Sequence, residues 1–317
     1  MPDASVAVPD STALRDALAR SIAQVDSVLL GKKHEVRLAF VCLLAGGHLL
    51  IEDLPGVGKT TLAHALAATL GLRFQRVQFT SDLLPSDIIG VSVYERERVG
   101  FKFHPGPLFT QLLLADEINR ATPKTQSALL EAMAEEQVTV DGATHRLPLP
   151  FFVVATQNSV DFAGTFPLPD SQLDRFMLRM SLGYPDRDAE RTMLGSGDRR
   201  ALLESLTSCL GPEQILALRR ACTGILASPA LIEYAQSLMQ ASRAHNAIKV
   251  GLSPRAGLAL LAAARAHALL AGRAHCVPED VQAVFPFVAA HRLTLGPNAR
   301  HGRDDLARML IETTPVR

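Results

Sequence analysis

The chain has 317 residues, which on length alone allows about two domains. Hydrophobic residues make up 48% of it and charged residues 20%, so a soluble globular protein is expected rather than a disordered or fibrous one. The 32 basic and 32 acidic residues cancel, which argues against bulk electrostatic capture of nucleic acid or of an anionic membrane.

Residues 1–12 carry Asp and Pro but neither a basic nor an apolar stretch, and read as a disordered N-terminus rather than a signal peptide. From Leu14 to Leu44 apolar residues recur at helical spacing, and Gly31 divides them into two helices. Gly46 and Gly47 stop the second helix. The apolar run Leu38–Ile51 is too short to span a membrane and contains both glycines and His48. His48–Glu52 reads as a buried strand, Thr60–Leu70 as an amphipathic helix and Phe74–Phe79 as a second strand. Residues 80–108 read as loop-rich, with a strand-like pair around 91–94 and 100–103. Leu112–Asp116 is a continuous apolar run ending in acid, as in a strand buried on both faces. Thr122 is placed to cap a helix that starts at Pro123 and runs to about Glu135. Gln137–Val140, Asp141–Gly142 and Thr144–Leu147 form a hairpin signal. Phe151–Thr156 and Met177–Ser181 are further strand candidates.

After Pro185 only helical patterns are legible, at about 187–194, 213–222, 228–245, 254–271 and 278–291, and residues 295–317 read as a short tail with one helical turn or two. The expected architecture is therefore α/β over 13–185, followed by an all-α domain over 186–317. Cys42, Cys209, Cys222 and Cys276 lie far apart among Ala and Leu. They read as small buried apolar side chains, with a reducing, cytoplasmic setting as the default. The ten histidines show no metal-ligand spacing.

The chemistry concentrates in Leu54-Pro-Gly-Val-Gly-Lys-Thr-Thr61, which stands between a strand and a helix as a phosphate loop requires. Pro55, Gly56, Val57, Gly58, Lys59, Thr60 and Thr61 are the candidate nucleotide-binding residues. Gly56 and Gly58 let main-chain N–H groups close around phosphate, and the following helix adds its dipole. Lys59 reaches the β- and γ-phosphates, and the Thr60 hydroxyl is a ligand for Mg²⁺. In the pattern G-x-x-x-x-G-K-[ST] the first Gly falls on Asp53; a carboxylate there is unfavourable unless it points away from the phosphates.

Asp116 and Glu117 close the third apolar strand, at the end where ligands bind in such sheets. Beside a phosphate loop, Asp116 supports Mg²⁺ and Glu117 orients and deprotonates the attacking water. Taken alone, the pair could be a solvated turn. Asn158, after the strand from Phe151, either holds the water or γ-phosphate through a neutral amide or is a turn-forming residue.

These pieces are joined by Ala115–Met133, Phe103-His-Pro-Gly-Pro-Leu-Phe109, Ala155-Thr-Gln-Asn158, Gln172-Leu-Asp-Arg-Phe-Met177 and Leu252-Ser-Pro-Arg-Ala256. In order, from about residue 20 to 295, they resemble the MoxR family of AAA+ ATPases, in which an acid at position 53 is familiar. Ser159 and Asp170-Ser171 depart mildly from the family pattern. The resemblance implies an AAA+ P-loop NTPase domain with a parallel five-stranded sheet, an all-α lid domain, ATP and Mg²⁺ as ligands, and a homo-oligomer, hexameric in the family. It implies that Asn158 is sensor 1, Arg175 an arginine finger reaching a neighbouring subunit, and Arg255 sensor 2 on the lid, with ATP between the two domains. The segments 91–103 and 137–148 resemble the family's insertions, which line one face or the pore of the ring. The family also implies a chaperone role in maturing or activating enzyme complexes, by metal or cofactor insertion, with a partner carrying a von Willebrand factor A (VWA) domain. Two other readings stay open: a DNA-linked motor, disfavoured by zero net charge, and a nucleotide-gated scaffold, disfavoured by the intact acid pair.

Overall fold

The computed structural model describes residues 11–96, 100–158, 164–195 and 199–316. The expected disordered start thus falls outside the described residues, except that helix α1 begins at Ser11 (Ser11–Val28). Gly31, at φ +74°, separates it from α2 (Lys33–Leu44). Strand β1 (Leu49–Asp53) runs through the phosphate loop into α3 (Lys59–Thr69), which is followed by β2 (Phe74–Gln78). A short helix α4 (Pro85–Ile89) then leads to the antiparallel pair β3 (Gly90–Glu95) and β4 (Gly100–Pro105). Next come β5 (Leu112–Asp116), α5 (Pro123–Glu135), the hairpin β6 (Gln137–Val140) and β7 (Ala143–Arg146), and β8 (Phe152–Asn158). The single turn α6 (Asp170–Leu173) and strand β9 (Leu178–Met180) complete the α/β half.

The five strands β2-β5-β8-β1-β9 form one parallel sheet in that order. Every residue of β5 is buried, as its unbroken apolar run requires. Strand alternation divides the sheet between two cores. Leu49, Ile51, Leu112, Leu114, Phe152 and Val154 face one side, with α1, α2 and α3. Leu50, Leu113, Ala115, Val153 and Ala155 face the other, with α5.

The C-terminal part holds α7 (Arg187–Gly195), α8 (Arg199–Glu204), α9 (Pro212–Thr223), α10 (Pro229–Ala244), α11 (Pro254–Leu270), α12 (Pro278–Ala289) and α13 (Arg303–Thr313). Two expectations are corrected here. This part is not wholly helical: β10 (Ile248–Val250) pairs with β11 (Thr294–Leu295), runs too short for a periodicity signal. The tail is not a turn or two but an 11-residue helix whose Leu306, Ala307 and Leu310 are buried. The helices also have no core of their own. Buried residues of α9–α13 form one continuous cluster with α2, α3 and a face of the sheet.

One buried cation joins the halves. Arg292, with its side chain 5% exposed, pairs with Asp174 at 2.6 Å and donates to the carbonyls of Phe176 (2.8 Å) and Met177 (3.1 Å). Among the described residues, no helix is long and apolar enough to cross a membrane. Cys42, Cys222 and Cys276 are buried free thiols and Cys209 is half-buried. Burial pushes the Cys42 and Cys222 thiols up to about 12, so they are unreactive apolar side chains.

Candidate nucleotide site

The loop is built where β1 ends. Gly56 (φ +82°) and Gly58 (φ +100°) take left-handed backbone conformations that a Cβ would disfavour. A Cβ on either would meet nothing within 4 Å, so both face open space rather than packed protein. The first intrahelical bond of α3 runs from Leu62 N to Gly58 O, at 2.9 Å. The N–H groups of Lys59, Thr60 and Thr61 precede it and form the orphan donors of a helix start.

A cavity of about 330 Å³ opens there. Pro55, Gly56, Gly58, Lys59, Thr60 and Thr61 line one wall, and Arg76, Asp116, Glu117 and Asn158 the other. Sheet register explains the meeting. Asp53 at the end of β1 lies beside Asn158 at the end of β8, and Asp116 ends β5 beside Gln78 of β2. Val57 lines an adjoining cavity with Gly56, Gly58, Leu29, Tyr184 and Met193.

The acids are held in place. Asp116 Oδ1 accepts from Thr156 Oγ1 at 2.6 Å, and Oδ2 accepts from Arg76 Nη2 at 2.7 Å. Thr156 Oγ1 in turn accepts from the Glu117 main-chain N–H at 2.9 Å. Glu117 adopts φ 56° and ψ 49°, a left-handed conformation that turns the chain as β5 ends. Its Oε2 accepts from Gln78 Nε2 (2.8 Å) and pairs with Arg120 (3.1 Å). Lys59 Nζ donates to the Asp53 carbonyl at 2.9 Å. Burial lowers the Lys59 pKa, against the raising influence of Asp53, Asp116 and Glu117. The Asp53 carboxylate does point away from the phosphate cavity, toward residues 181–183.

Arg76, Thr156 and Gln78 escaped the sequence reading. The one signal for Thr156 was a polar residue inside an otherwise apolar strand, and it is fully buried. Arg76 lies in an alternating strand that gives no hint of its partner.

Arg175 and Arg255 are not in this cavity. They line another, with Gly46, Gly47 and His48 at the start of β1, the opposite end of the sheet. Strand β1 is five residues long, so its ends lie four steps, roughly 13 Å, apart at about 3.3 Å per residue. That exceeds the reach of an arginine side chain from the far end. Arg175 Nη1 donates to Leu130 O at 2.8 Å, and Arg255 lies 3.8 Å from Asp174. The expected placement of ATP between the two halves is therefore only partly matched. Met193 and Leu203 border the adjoining cavity, but Arg255 lies elsewhere, on the cavity that Gly46, Gly47 and His48 line. Ser159 lies outside the described residues.

Comparison with known proteins agrees with this geometry. Residues 48–178 match the ATPase family associated with various cellular activities (AAA), and residues 240–309 match the AAA lid domain. The chain is 44% identical to the protein YeaC of Bacillus subtilis, over 90% of each chain. It is 40% identical to Chaperone MoxR1 of Mycobacterium tuberculosis, over 88% of this chain and 76% of that one. A crystal structure of a candidate ATPase from Cytophaga hutchinsonii superposes with a TM-score of 0.88 and 33% identity, over 97% of both chains. Fold and site together define a phosphate-loop NTPase of AAA+ architecture, a parallel five-stranded sheet followed by a helical lid. Within that class, the chain belongs to the MoxR family of AAA+ ATPases.

Proposed function

We propose that this chain binds ATP with Mg²⁺ at the Gly56–Thr61 loop and hydrolyses it within a ring of its own copies, hexameric as the family resemblance suggests. We further propose that it acts as a chaperone that remodels or activates a partner complex together with a VWA-domain protein. The observation that carries the chemistry is the convergence of Lys59, Thr60, Asp116, Glu117 and Asn158 on one cavity beside two open-facing glycines. The chaperone role rests on the name of the mycobacterial relative and on the motifs that resemble the family.

The residues fit the ligands. Main-chain N–H groups of the loop and of the first turn of α3 suit phosphate oxygens, and Lys59 suits the β- and γ-phosphates. The Thr60 hydroxyl and the Asp116 carboxylate are hard oxygen donors on the same cavity, as Mg²⁺ prefers. When bound, Mg²⁺ would offset charge on the phosphoryl oxygens. Asp116 is paired with Arg76 at 2.7 Å, so Arg76 would share the carboxylate with the metal or swing aside. Glu117 accepts a proton from the attacking water, whose oxygen bonds to the γ-phosphorus as the bond to the bridging β–γ oxygen breaks. Asn158 holds that water or the γ-phosphate without adding charge.

Arg175 and Arg255, too far from the chain's own loop, are assigned to the nucleotide of a neighbouring copy. A guanidinium delivered in this way is worth about 10³–10⁵-fold in related NTPases. We assign residues 13–185 to the nucleotide-binding domain and 186–317 to the lid. The test is calorimetry of the purified chain with ATP and Mg²⁺. Saturable binding lost in Lys59→Ala is expected, and a folded wild type that takes up no nucleotide would overturn the proposal.

A further inference from the structure

Asp53 stands where the phosphate-loop pattern usually has glycine, and its surroundings say what the carboxylate does. It is 5% exposed. Its Oδ1 accepts from the main-chain N–H of Leu54 at 2.7 Å. Its Oδ2 accepts three bonds from the stretch that leaves β9: Ser181 Oγ at 2.9 Å, Leu182 N at 2.6 Å and Gly183 N at 2.6 Å. Three donors on one oxygen suit a full negative charge better than a neutral amide. Burial opposes that charge, but the bonds from Gly183, Leu54, Ser181 and Leu182 outweigh it and hold the carboxyl below the usual range.

The main chain of the same residue holds the loop's cation, since the Asp53 carbonyl accepts from Lys59 Nζ at 2.9 Å. That carbonyl and the Leu54 N–H belong to one rigid peptide plane. A turn of the plane that follows Lys59 must also move the N–H that bonds the carboxylate. On the other side, Ser181–Gly183 leads through Tyr184 into α7. Tyr184 O is itself held by Lys32 Nζ at 2.8 Å, and Tyr184 and Met193 border the cavity beside the loop.

We infer that Asp53 is a positioning residue that ties the phosphate loop to the connection Ser181–Gly183, so that a change at Lys59 on taking up a triphosphate is passed to helix α7. The inference rests on the nucleotide reading above. It assigns a task to the acid at this position, which the loop chemistry alone does not need.

The test compares wild type, Asp53→Asn and Ser181→Ala as full-length chains. Without nucleotide, hydrogen exchange over Leu182 and Gly183 is expected to rise about tenfold or more in Asp53→Asn, while β5 and β8 keep wild-type protection. This arm does not depend on ATP. With ATP and Mg²⁺, wild type is expected to gain protection in α7. Asp53→Asn should lose that response and about tenfold in kcat, with nucleotide affinity held within about threefold. Ser181→Ala, which removes one of the three bonds, should move in the same direction by less, and it carries the test if Asp53→Asn does not fold.

An α7 response and kcat like wild type in the folded variants would overturn the inference. So would lost affinity with unchanged kcat, which would make Asp53 a residue of loop shape alone. A wild type that binds no nucleotide, yet shows the exchange difference at Leu182 and Gly183, would sink the nucleotide reading and with it the coupling, and leave the tie between the two segments standing.

Discussion

Thr156 shows how one side chain can set two acids. Its hydroxyl donates to Asp116 and accepts from the Glu117 N–H, so it fixes both the carboxylate and the strained turn beside it. Thr156→Val keeps the shape and removes both bonds. It is expected to lower kcat about 10–100-fold, as supporting groups around metal sites do, while ATP binding persists in calorimetry. Glu117→Gln should lower turnover by about 10²–10⁴ and trap bound ATP, which single-turnover measurement reads directly.

His48 offers a residue-scale test of stability. Val153 N donates to its Nδ1 at 3.0 Å, so the proton sits on Nε2, which donates to Met133 O at 3.1 Å. Burial lowers its pKa to about 4, aided by Arg219 and opposed by the bond to Met133. The unfolded chain therefore takes up this proton near pH 6.5 and the folded chain only near pH 4. Stability from this group is complete above about pH 6.5 and falls as pH drops toward 4, by roughly 3 kcal/mol at most. His291, also pushed down by burial and by Arg292, adds in the same direction. Melting temperature followed from pH 7.5 to 4.5 in wild type and His48→Gln checks this: the variant's curve should be flatter.

At the scale of elements, the chain's local signals were largely sufficient where period and punctuation agreed. Thr122 caps α5 by accepting from Thr125 N, with Pro123 at the first helical position. Thr122→Ala is expected to cost about 1 kcal/mol in denaturant unfolding, since it leaves a helix-start donor without its partner. The hairpin β6–β7 was legible from Asp141-Gly142, whose φ values of 50° and 80° are those of a tight turn. The short pieces α4, α6, β10 and β11 were not. Each has five residues or fewer, less than the window over which a period can be counted. Helix α13 was missed for another reason. Its charged surface hides a buried stripe that only packing against α12 and α10 makes apolar in effect.

At the scale of the molecule, the two arginines and the phosphate loop occupy opposite ends of one sheet, which makes assembly a condition for activity in the proposed cycle. Mixing Arg175→Ala with Glu117→Gln, each expected to turn over slowly alone, should restore part of the turnover, because one variant supplies the base and the other the guanidinium. No recovery, or full activity of Arg175→Ala alone, would remove Arg175 from that role. The buried Arg292–Asp174 pair sets the presentation of this face by fixing the residue next to Arg175.

The sequence by itself determined the loop, the acid pair and the class of fold. Those depend on residues close together in the chain, and on strand and helix periods that a short window contains. It also flagged Asp53 as a misfit without saying where the carboxylate would go. Only the tertiary structure decided that it turns to Ser181–Gly183, that Arg76 and Thr156 hold Asp116, that Arg255 lies away from the chain's own nucleotide loop, and that the helical half shares its core with the sheet. Each joins segments tens to hundreds of residues apart, and hydrogen bonds and shared burial over such separations leave no trace in local spacing.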